Sequence, residues 1–451
     1  LIQKKISLPK SSLSLSLTYF QSAANLRRLC QKFPMAVPHS PFLLLLLLLL
    51  SSLTLFHGQT FSLVIPLTKD SLTNQYLATV FHGSPIKPVH LAVDLGGRSL
   101  WMACGGSSSS RSIPSRSIQC IAATAGGRSG SVGGACNVIA ENPFGDLEGK
   151  AILVEDTVAV GSLGRSTAAV IVALHSCAPR FLLQGLAKSV KGVLGLGRNQ
   201  ISLPAQIATE LGSHRRFSLC LSSTNGVVFP DSGSPDSVYG SEISSSLTYT
   251  PILTKKIDAL LSPEYFINVK AIKVDGNRLD LNKSLLDLEE AGDGGGGGGT
   301  RLSTVVPYTA LESSIFNSLT VAFRAAAAAM NMKEVAPVAP FEACFESENM
   351  EMTAAGPKVP EIELILQSEM VGWKIYGRNS MVKVNDKAYC LGFVDGGLKP
   401  RNAIVLGGYQ MEDIVLDFDI GTSMLGFSSS LLQRKRSCSE FSPENLLKRT
   451  G

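Results

Sequence analysis

The stretch His90-Leu-Ala-Val-Asp94-Leu-Gly96-Gly97-Arg-Ser-Leu-Trp101 decides how this chain is read. An apolar run leads into a carboxylate and then into a pair of glycines. Aliphatic and β-branched residues suit a strand, and glycines supply the tight turn that follows one. Asp94 therefore follows directly on an apolar strand. The same grammar repeats outward along the chain. Residues 75–82, 89–93, 151–160, 168–174 and 265–274 are rich in Val, Ile and Leu and bounded by Gly, Pro or Ser. That is the pattern of an all-β protein. Only 203–211 and 313–330 read as helices.

With 451 residues, 42 of them Gly and 17% charged, the chain has room for about two or three domains of strands and tight turns. Six of its 41 basic residues (Lys4, Lys5, Lys10, Arg27, Arg28 and Lys32) fall within 1–58, which holds no Asp or Glu. The remainder is close to neutral against 36 acidic residues. Nucleic-acid binding needs a clustered basic surface, which this distribution argues against. The chain opens on Leu1, and residues 1–34 read as an upstream leader before Met35. Residues 35–58 read as a signal peptide, because Leu43–Leu50 is an unbroken apolar run too short for a membrane span. Cleavage is expected near 57–60, followed by secretion with no membrane anchor.

Beyond Cys30, eight cysteines remain: Cys104, Cys120, Cys136, Cys177, Cys220, Cys344, Cys390 and Cys438. An even number in a secreted chain points to disulfides, and neither a C-x-x-C pair nor zinc-ligand spacing is present. No metal or cofactor is expected. Spacing leaves the connectivity open. Asn282-Lys283-Ser284 is a glycosylation sequon in a polar stretch. Residues 105–135 read as a loop, and a Ser-rich break at 222–246 precedes the boundary between lobes. Gly294–Gly299 reads as a flexible insertion and Ala325–Ala329 as low-complexity drift. His82, His90, His175 and His214 are scattered, with no nucleophile elbow, and read as satisfied strand or surface residues.

The His90–Trp101 stretch resembles the first active-site loop of the aspartic proteases, an apolar strand entering Asp-Thr-Gly-Thr and then a Trp. Gly192-Val-Leu-Gly195-Leu-Gly197-Arg198, followed by Ser202-Leu-Pro204-Ala-Gln206, is similar to the segment that closes the N-terminal lobe in plant members of that fold. Between Tyr376 and Leu432, the phrases 377–381, 390–397, 407–413, 416–419 and 425–428 resemble a narrower group. It comprises the basic 7S globulins, the extracellular dermal glycoproteins and the xylanase inhibitors. The likeness covers about residues 61–440. It implies an all-β, bilobal pepsin-like (aspartic protease) fold with a few short helices. The N-terminal lobe would be 59–246 and the C-terminal lobe 247–451, each of the xylanase-inhibitor type.

Aspartic proteases work through two carboxylates that share one proton about a water molecule. Asp94 stands for the first. Aligned on its flanks, the segment 302–311 brings Ser303 to the place of the second and Val305 to that of the following glycine. Leu95 and Gly97 replace the hydroxyl residues that brace the first loop. No Tyr occurs from Met102 to Val238, where the resemblance calls for one over the cleft. Asp231-Ser-Gly-Ser234 and Asp419-Ile-Gly-Thr422 carry similar letters, but one follows Pro230 in a Ser/Gly loop and the other sits in the last strand turn.

The resemblance thus implies a secreted cell-wall protein without catalysis, whose partners are glycoside hydrolases such as a xylanase or a xyloglucan endoglucanase. A storage or peptide-binding globulin and an active aspartic endopeptidase are the other readings. Arg434-Lys435-Arg436, just before Cys438, is the expected target-binding loop, since a cation entering a glycosidase cleft meets paired carboxylates. Cereal xylanase inhibitors use a His in that loop, whereas here no His follows His214. The expected disulfides include Cys344–Cys390 within the C-terminal lobe and Cys220–Cys438 between the lobes.

Overall fold

The computed structural model describes residues 63–104, 110–124, 130–132, 134–162, 169–230, 238–257, 260–288, 297–348, 350–442 and 445. The leader, the signal segment, residues 231–234 and residues 294–296 lie outside these. Strands dominate, because the sequence alternates on a period of two over most of its length. In Ala135–Asn142 the covered positions are Cys136, Val138, Ala140 and Asn142. In Ala169–Ala178, Ile171 and Ala173 turn inward while Val170 and Val172 face solvent.

One sheet of fifteen strands carries the N-terminal half. Leu63–Lys69, Tyr76–His82 and Lys87–Asp94 follow one another antiparallel, with Leu77 opposite Ala92 and Val80 opposite Val89. Lys87–Asp94 then runs parallel to Val190–Gly195, which sets Asp94 beside Gly195. On its other side Val190–Gly195 pairs antiparallel with Trp101–Ala103. The C-terminal half repeats this arrangement. Thr300–Leu302 runs parallel to Ile404–Leu406, and Thr309–Leu311 pairs antiparallel with the latter. Each half thus ends a central strand at one candidate residue, Asp94 in one and Ser303 in the other.

The final strands return to the first half. Val415–Asp419 pairs with Arg216–Cys220, and Met424–Phe427 joins it to Thr248–Pro251. A continuous sheet therefore passes across the 246/247 boundary. The largest apolar cluster does the same, joining Leu91, Val93 and Leu194 to Leu302, Leu311 and Leu406. Each such side chain contributes about 1.5–3 kcal/mol by leaving water, so the floor beneath Asp94 and Ser303 is among the firmest parts of the protein.

Several local readings change. The stretch 105–135 contains the helix Ile118–Thr124 and buries Ile113 and Cys120, with the Cys120–Cys136 disulfide compensating for its thin apolar content. Within the Ser-rich 222–246, Asn225–Phe229 is a central strand whose Val227, Val228 and Phe229 are fully covered. Residues 265–274 divide into Phe266–Ile267 and Ala271–Val274, which belong to different sheets. The alanine run finishes the helix Ser313–Ala329, where Ala327 packs in the core. Gly298 lies so close to the chain that a Cβ there would stand 2.1 Å from the Asp287 carbonyl, so the end of the glycine run is fitted to its place.

Candidate functional site

Asp94 and Ser303 occupy matching backbone positions. The Asp94 Oδ1 accepts a hydrogen bond from the Gly96 N–H at 2.9 Å, two residues on. The Ser303 Oγ accepts from the Val305 N–H at 3.2 Å, again two residues on. Asp94 is beside Gly195 in its parallel pair, and the Ser303 N–H donates to the Leu406 carbonyl at 3.0 Å at the end of its own. Thr304 ties the two halves together. Its hydroxyl donates to the Val93 carbonyl at 2.7 Å and accepts from the Leu95 N–H at 3.0 Å, bracketing Asp94. Leu95, the corresponding residue on the first loop, is apolar and fully buried, so it has no hydroxyl to return the pair of bonds. The brace is one-sided.

The first loop is packed backbone against backbone. A Cβ on Gly97 would sit 2.8 Å from the Gly195 Cα and 3.0 Å from the Asp94 Oδ2. There is no room for the hydroxyl residue that the protease pattern places here. Beside Asp94 lies a recess of only about 10 Å³, the space of a single water, lined by Gly97, Arg98, Trp101, Ile139 and Glu141. Arg98 Nε approaches Glu141 Oε1 at 3.4 Å, and Trp101 Nε1 donates to the Glu141 carbonyl at 2.8 Å, so the 135–142 strand is drawn down over the carboxyl.

Burial pushes the Asp94 carboxyl up to about 6, opposed by the Gly96 N–H and by Arg301, and aided by Glu264 and Glu141. Arg301 is itself engaged by Glu264 in an ion pair. Ser303, 2% exposed, carries a hydroxyl whose ordinary pKa lies far above that of any carboxylate, so it cannot share a proton with Asp94 as a second acid would.

Residues 76–229 match the family model described as Xylanase inhibitor N-terminal, and residues 264–429 match Xylanase inhibitor C-terminal. The chain belongs to the xylanase-inhibitor and basic 7S globulin family. Its pepsin-like, two-lobed fold is that of the family. One relative, "Probable aspartic proteinase GIP2" of Nicotiana benthamiana, is 41% identical over 406 residues, covering 84% of this chain and 91% of that one. The crystal structure of edgp superposes with a TM-score of 0.75 at 40% identity, over 84% of this chain and 98% of that one. Conglutin gamma, a basic 7S globulin from lupine seeds, gives 0.72 at 32% identity, over 84% and 98%.

Among the described residues the eight cysteines are all bonded, as Cys104–Cys177, Cys120–Cys136, Cys220–Cys438 and Cys344–Cys390. Cys344 and Cys390 are direct partners in neighbouring strands. The basic loop lies on the surface just before Cys438. Arg434 donates to the carbonyl of Glu242 at 3.1 Å and to its carboxylate at 3.3 Å. Arg436 contacts Glu440 at 3.3 Å and lies over the Phe441 ring at 5.0 Å. Lys435 is exposed and lies in a left-handed turn with φ 55°. The loop is anchored from below, where Asp413 Oδ1 accepts from Ser437 Oγ at 2.7 Å and from the Cys438 N–H at 2.9 Å.

Asn282 is exposed and caps a short helix through its Oδ1, which accepts from the Ser284 N–H at 3.1 Å. The turn at Asp419 is solvated and closed on itself, its Oδ1 accepting from the Thr422 N–H at 2.9 Å. Residues 231–234 lie outside the described residues. Among the described residues no group of three His, Cys, Asp or Glu is placed to hold a metal, and no helix is long and apolar enough to cross a membrane.

The histidines are not all scattered. His82 and His175 meet edge to face with ring centroids 5.0 Å apart, and Asp156 lies 3.5 Å from His82 Nε2. His175 is 1% exposed and sits within its strand, where the Ala173 backbone is its hydrogen-bonding neighbour. Nothing in the local sequence announces this grouping. The alternation of the Leu147–Ser162 strand could have suggested it only once the pairing of three strands was known.

Proposed function

We propose that this protein is secreted, has no peptidase activity, and acts by binding and inhibiting a glycoside hydrolase, such as a xylanase or xyloglucan endoglucanase, in the cell wall. The observation that carries the reading is the site with one carboxylate: Asp94 on one half, the Ser303 hydroxyl on the other, and space for one water between the covering residues. A proton shared between two acids is the core of the aspartic-protease mechanism, and a hydroxyl cannot substitute for either. The family's description supports the hydrolase partner, and four disulfides with no free thiol among the eight suit an oxidising compartment.

The contact is assigned to the loop before Cys438. Arg434 and Arg436 already have acidic partners of their own, so Lys435 is the cation with least to give up on entering a cleft lined by carboxylates. The test pairs two assays of the secreted protein. Incubation with a denatured protein at acid pH is expected to yield no pepstatin-sensitive cleavage. Capture against a panel of purified xylanases and xyloglucanases is expected to retain at least one, with binding weakened by about 2–5 kcal/mol when Arg434, Lys435 and Arg436 are all replaced by Ala. Lys435→Ala alone carries most of that loss, and Asp94→Ala leaves binding unchanged. Pepstatin-sensitive proteolysis lost in Asp94→Asn would instead establish an endopeptidase. The names of the globulin and conglutin relatives favour a second reading, a storage protein, which an empty capture across the panel would support.

A further inference from the structure

The strand Ala169–Ala178 is accompanied on one side by Leu147–Ser162, from Ala169 to Cys177. On its other side Trp101–Ala103 meets only Ser176–Ala178. Next to that short neighbour, the Gln206 side chain takes the place of a strand. It accepts from the Leu174 N–H at 2.7 Å and donates to the Leu174 carbonyl at 2.9 Å. The backbone groups of Leu174 therefore point away from Leu147–Ser162. Because this direction alternates residue by residue, those of Val172 and Val170 point the same way. Thr157, the residue opposite Val172, agrees: its carbonyl faces the far side of its own strand, accepting from the Gly83 N–H at 3.1 Å. Among the described residues no strand pairs with the rungs at Val170 and Val172.

An open edge is a template for another strand, and sheet proteins ordinarily blunt it with a charge, a proline or a bulge. This one has none of these, since Ala169-Val-Ile-Val-Ala173 is uncharged and pairs in unbroken register. Val170 and Val172 are each 57% exposed, whereas Ile171 between them is buried. The five letters also read the same in both directions about Ile171. We propose that this edge pairs with the same edge of a second copy of the chain, antiparallel about a two-fold axis at Ile171. Val170 then lies opposite the partner's Val172, and Val172 opposite the partner's Val170. Each pair exchanges two hydrogen bonds, and the two fifteen-stranded sheets become one. The valines pack as cross-strand neighbours on the exposed face. A slide of two residues towards Leu174 is blocked, because Gln206 already holds the backbone there. Only the register centred on Ile171 uses both open valines of both copies.

The surroundings suit a second copy better than a partner of one charge. Val172 and Leu174 line a groove of about 580 Å³ whose lining holds Glu155, Glu210 and Arg215, with Arg111 ion-paired to Glu155. A second copy offers each sign its opposite, whereas a strongly acidic or basic partner would meet like charge. Two rungs cover less than the roughly 800 Å² that a standard interface takes from each partner. Ile118, which lines the same groove, and Ile121 are exposed on the adjoining helix and supply further apolar area. The dimer is therefore a weak one.

Sedimentation velocity of the secreted protein over a concentration series reads the equilibrium. Exchange between monomer and dimer is expected, with a dissociation constant on the order of micromolar. Val172→Lys puts a charge at an exposed position beside the axis. It is expected to raise that constant about tenfold or more while leaving the thermal unfolding of the monomer unchanged. Cross-linking reads the register separately. Chains carrying Val170→Cys are mixed with chains carrying Val172→Cys under mild oxidation. Cα atoms of a hydrogen-bonded antiparallel pair stand about 5.5 Å apart, within reach of a disulfide. Cross-links between the two variants are expected to outnumber those within either one. The proposal is overturned if the parent sediments as a monomer throughout, which would leave the edge to an unrelated strand. It is equally overturned if Val172→Lys dimerises like the parent, or if either cysteine variant links to itself as readily as to the other. None of these residues belongs to the hydrolase contact, so either proposal can fail alone.

Discussion

Asp94 shows how far a single residue's environment departs from what its letter implies. Its carboxyl titrates near 6 when folded against 3.8 in its ordinary state, because burial outweighs the Gly96 N–H and Arg301. Between those values the folded protein keeps a proton that the unfolded chain has released. Stability from this group therefore falls as pH rises through the window and levels off above it. Asn at this position keeps the acceptor for Gly96 and carries no charge. Asp94→Asn is expected to stabilise the protein by about 1–3 kcal/mol near pH 7.5 and by close to nothing near pH 3.5. Urea unfolding at the two pH values measures the difference, and an equal effect at both would mean that Asp94 titrates ordinarily. The resemblance to the aspartic proteases identified Asp94 and Ser303 as the pair to compare, through the alignment of their flanks. The Thr304 bridge to Val93 and Leu95 was not legible, because those residues are two hundred positions away in the chain.

Pairing between elements is set by charges that no local pattern reveals. Arg216 in the Arg216–Cys220 strand meets Asp417 in Val415–Asp419, with Nε–Oδ1 at 3.0 Å and the Ser218 hydroxyl adding a bond at 3.2 Å. The Asp417 side chain is 1% exposed, so losing its partner would strand a buried charge. Arg216→Met is expected to cost about 3–5 kcal/mol, and adding Asp417→Leu to recover most of it. A double-mutant cycle by denaturant unfolding checks this, and equal losses in the single and double variants would show that packing and not charge is at stake. Strands with clear alternation were found in the sequence, but the break within 265–274 was not. An apolar run has the same appearance whether it serves one sheet or two.

At the scale of the whole molecule, the chain is closed by its own C-terminal segment. Cys220–Cys438 spans 218 residues, against 16 for Cys120–Cys136. Closing the longer loop removes more freedom from the unfolded chain, so replacing Cys220 and Cys438 by Ala is expected to cost about 3–5 kcal/mol, against about 2–3 kcal/mol for Cys120 and Cys136. Thermal unfolding of the two variants compares them. Limited proteolysis should cut the first near residues 431–441, where the loop bearing Lys435 loses its anchor. If the short-loop variant proves the less stable, strain or residual structure governs these bridges and loop length does not.

The sequence by itself determined the strand-rich class, the family and the chemical character of the loop at Asp94, because each depends on letters that are neighbours. Apolar alternation, a Gly-Gly turn and a string of short phrases in fixed order need no tertiary contact to be read. Tertiary structure decided what stands beside what. It brought Thr304 around Asp94, tied Arg434 and Arg436 to Glu242 and Glu440, and returned the last strands to the first sheet. It also gathered His82, Asp156 and His175 from three strands into one cluster. The reason is register: a strand fixes which side a residue faces, but only its pairing fixes which residue it meets.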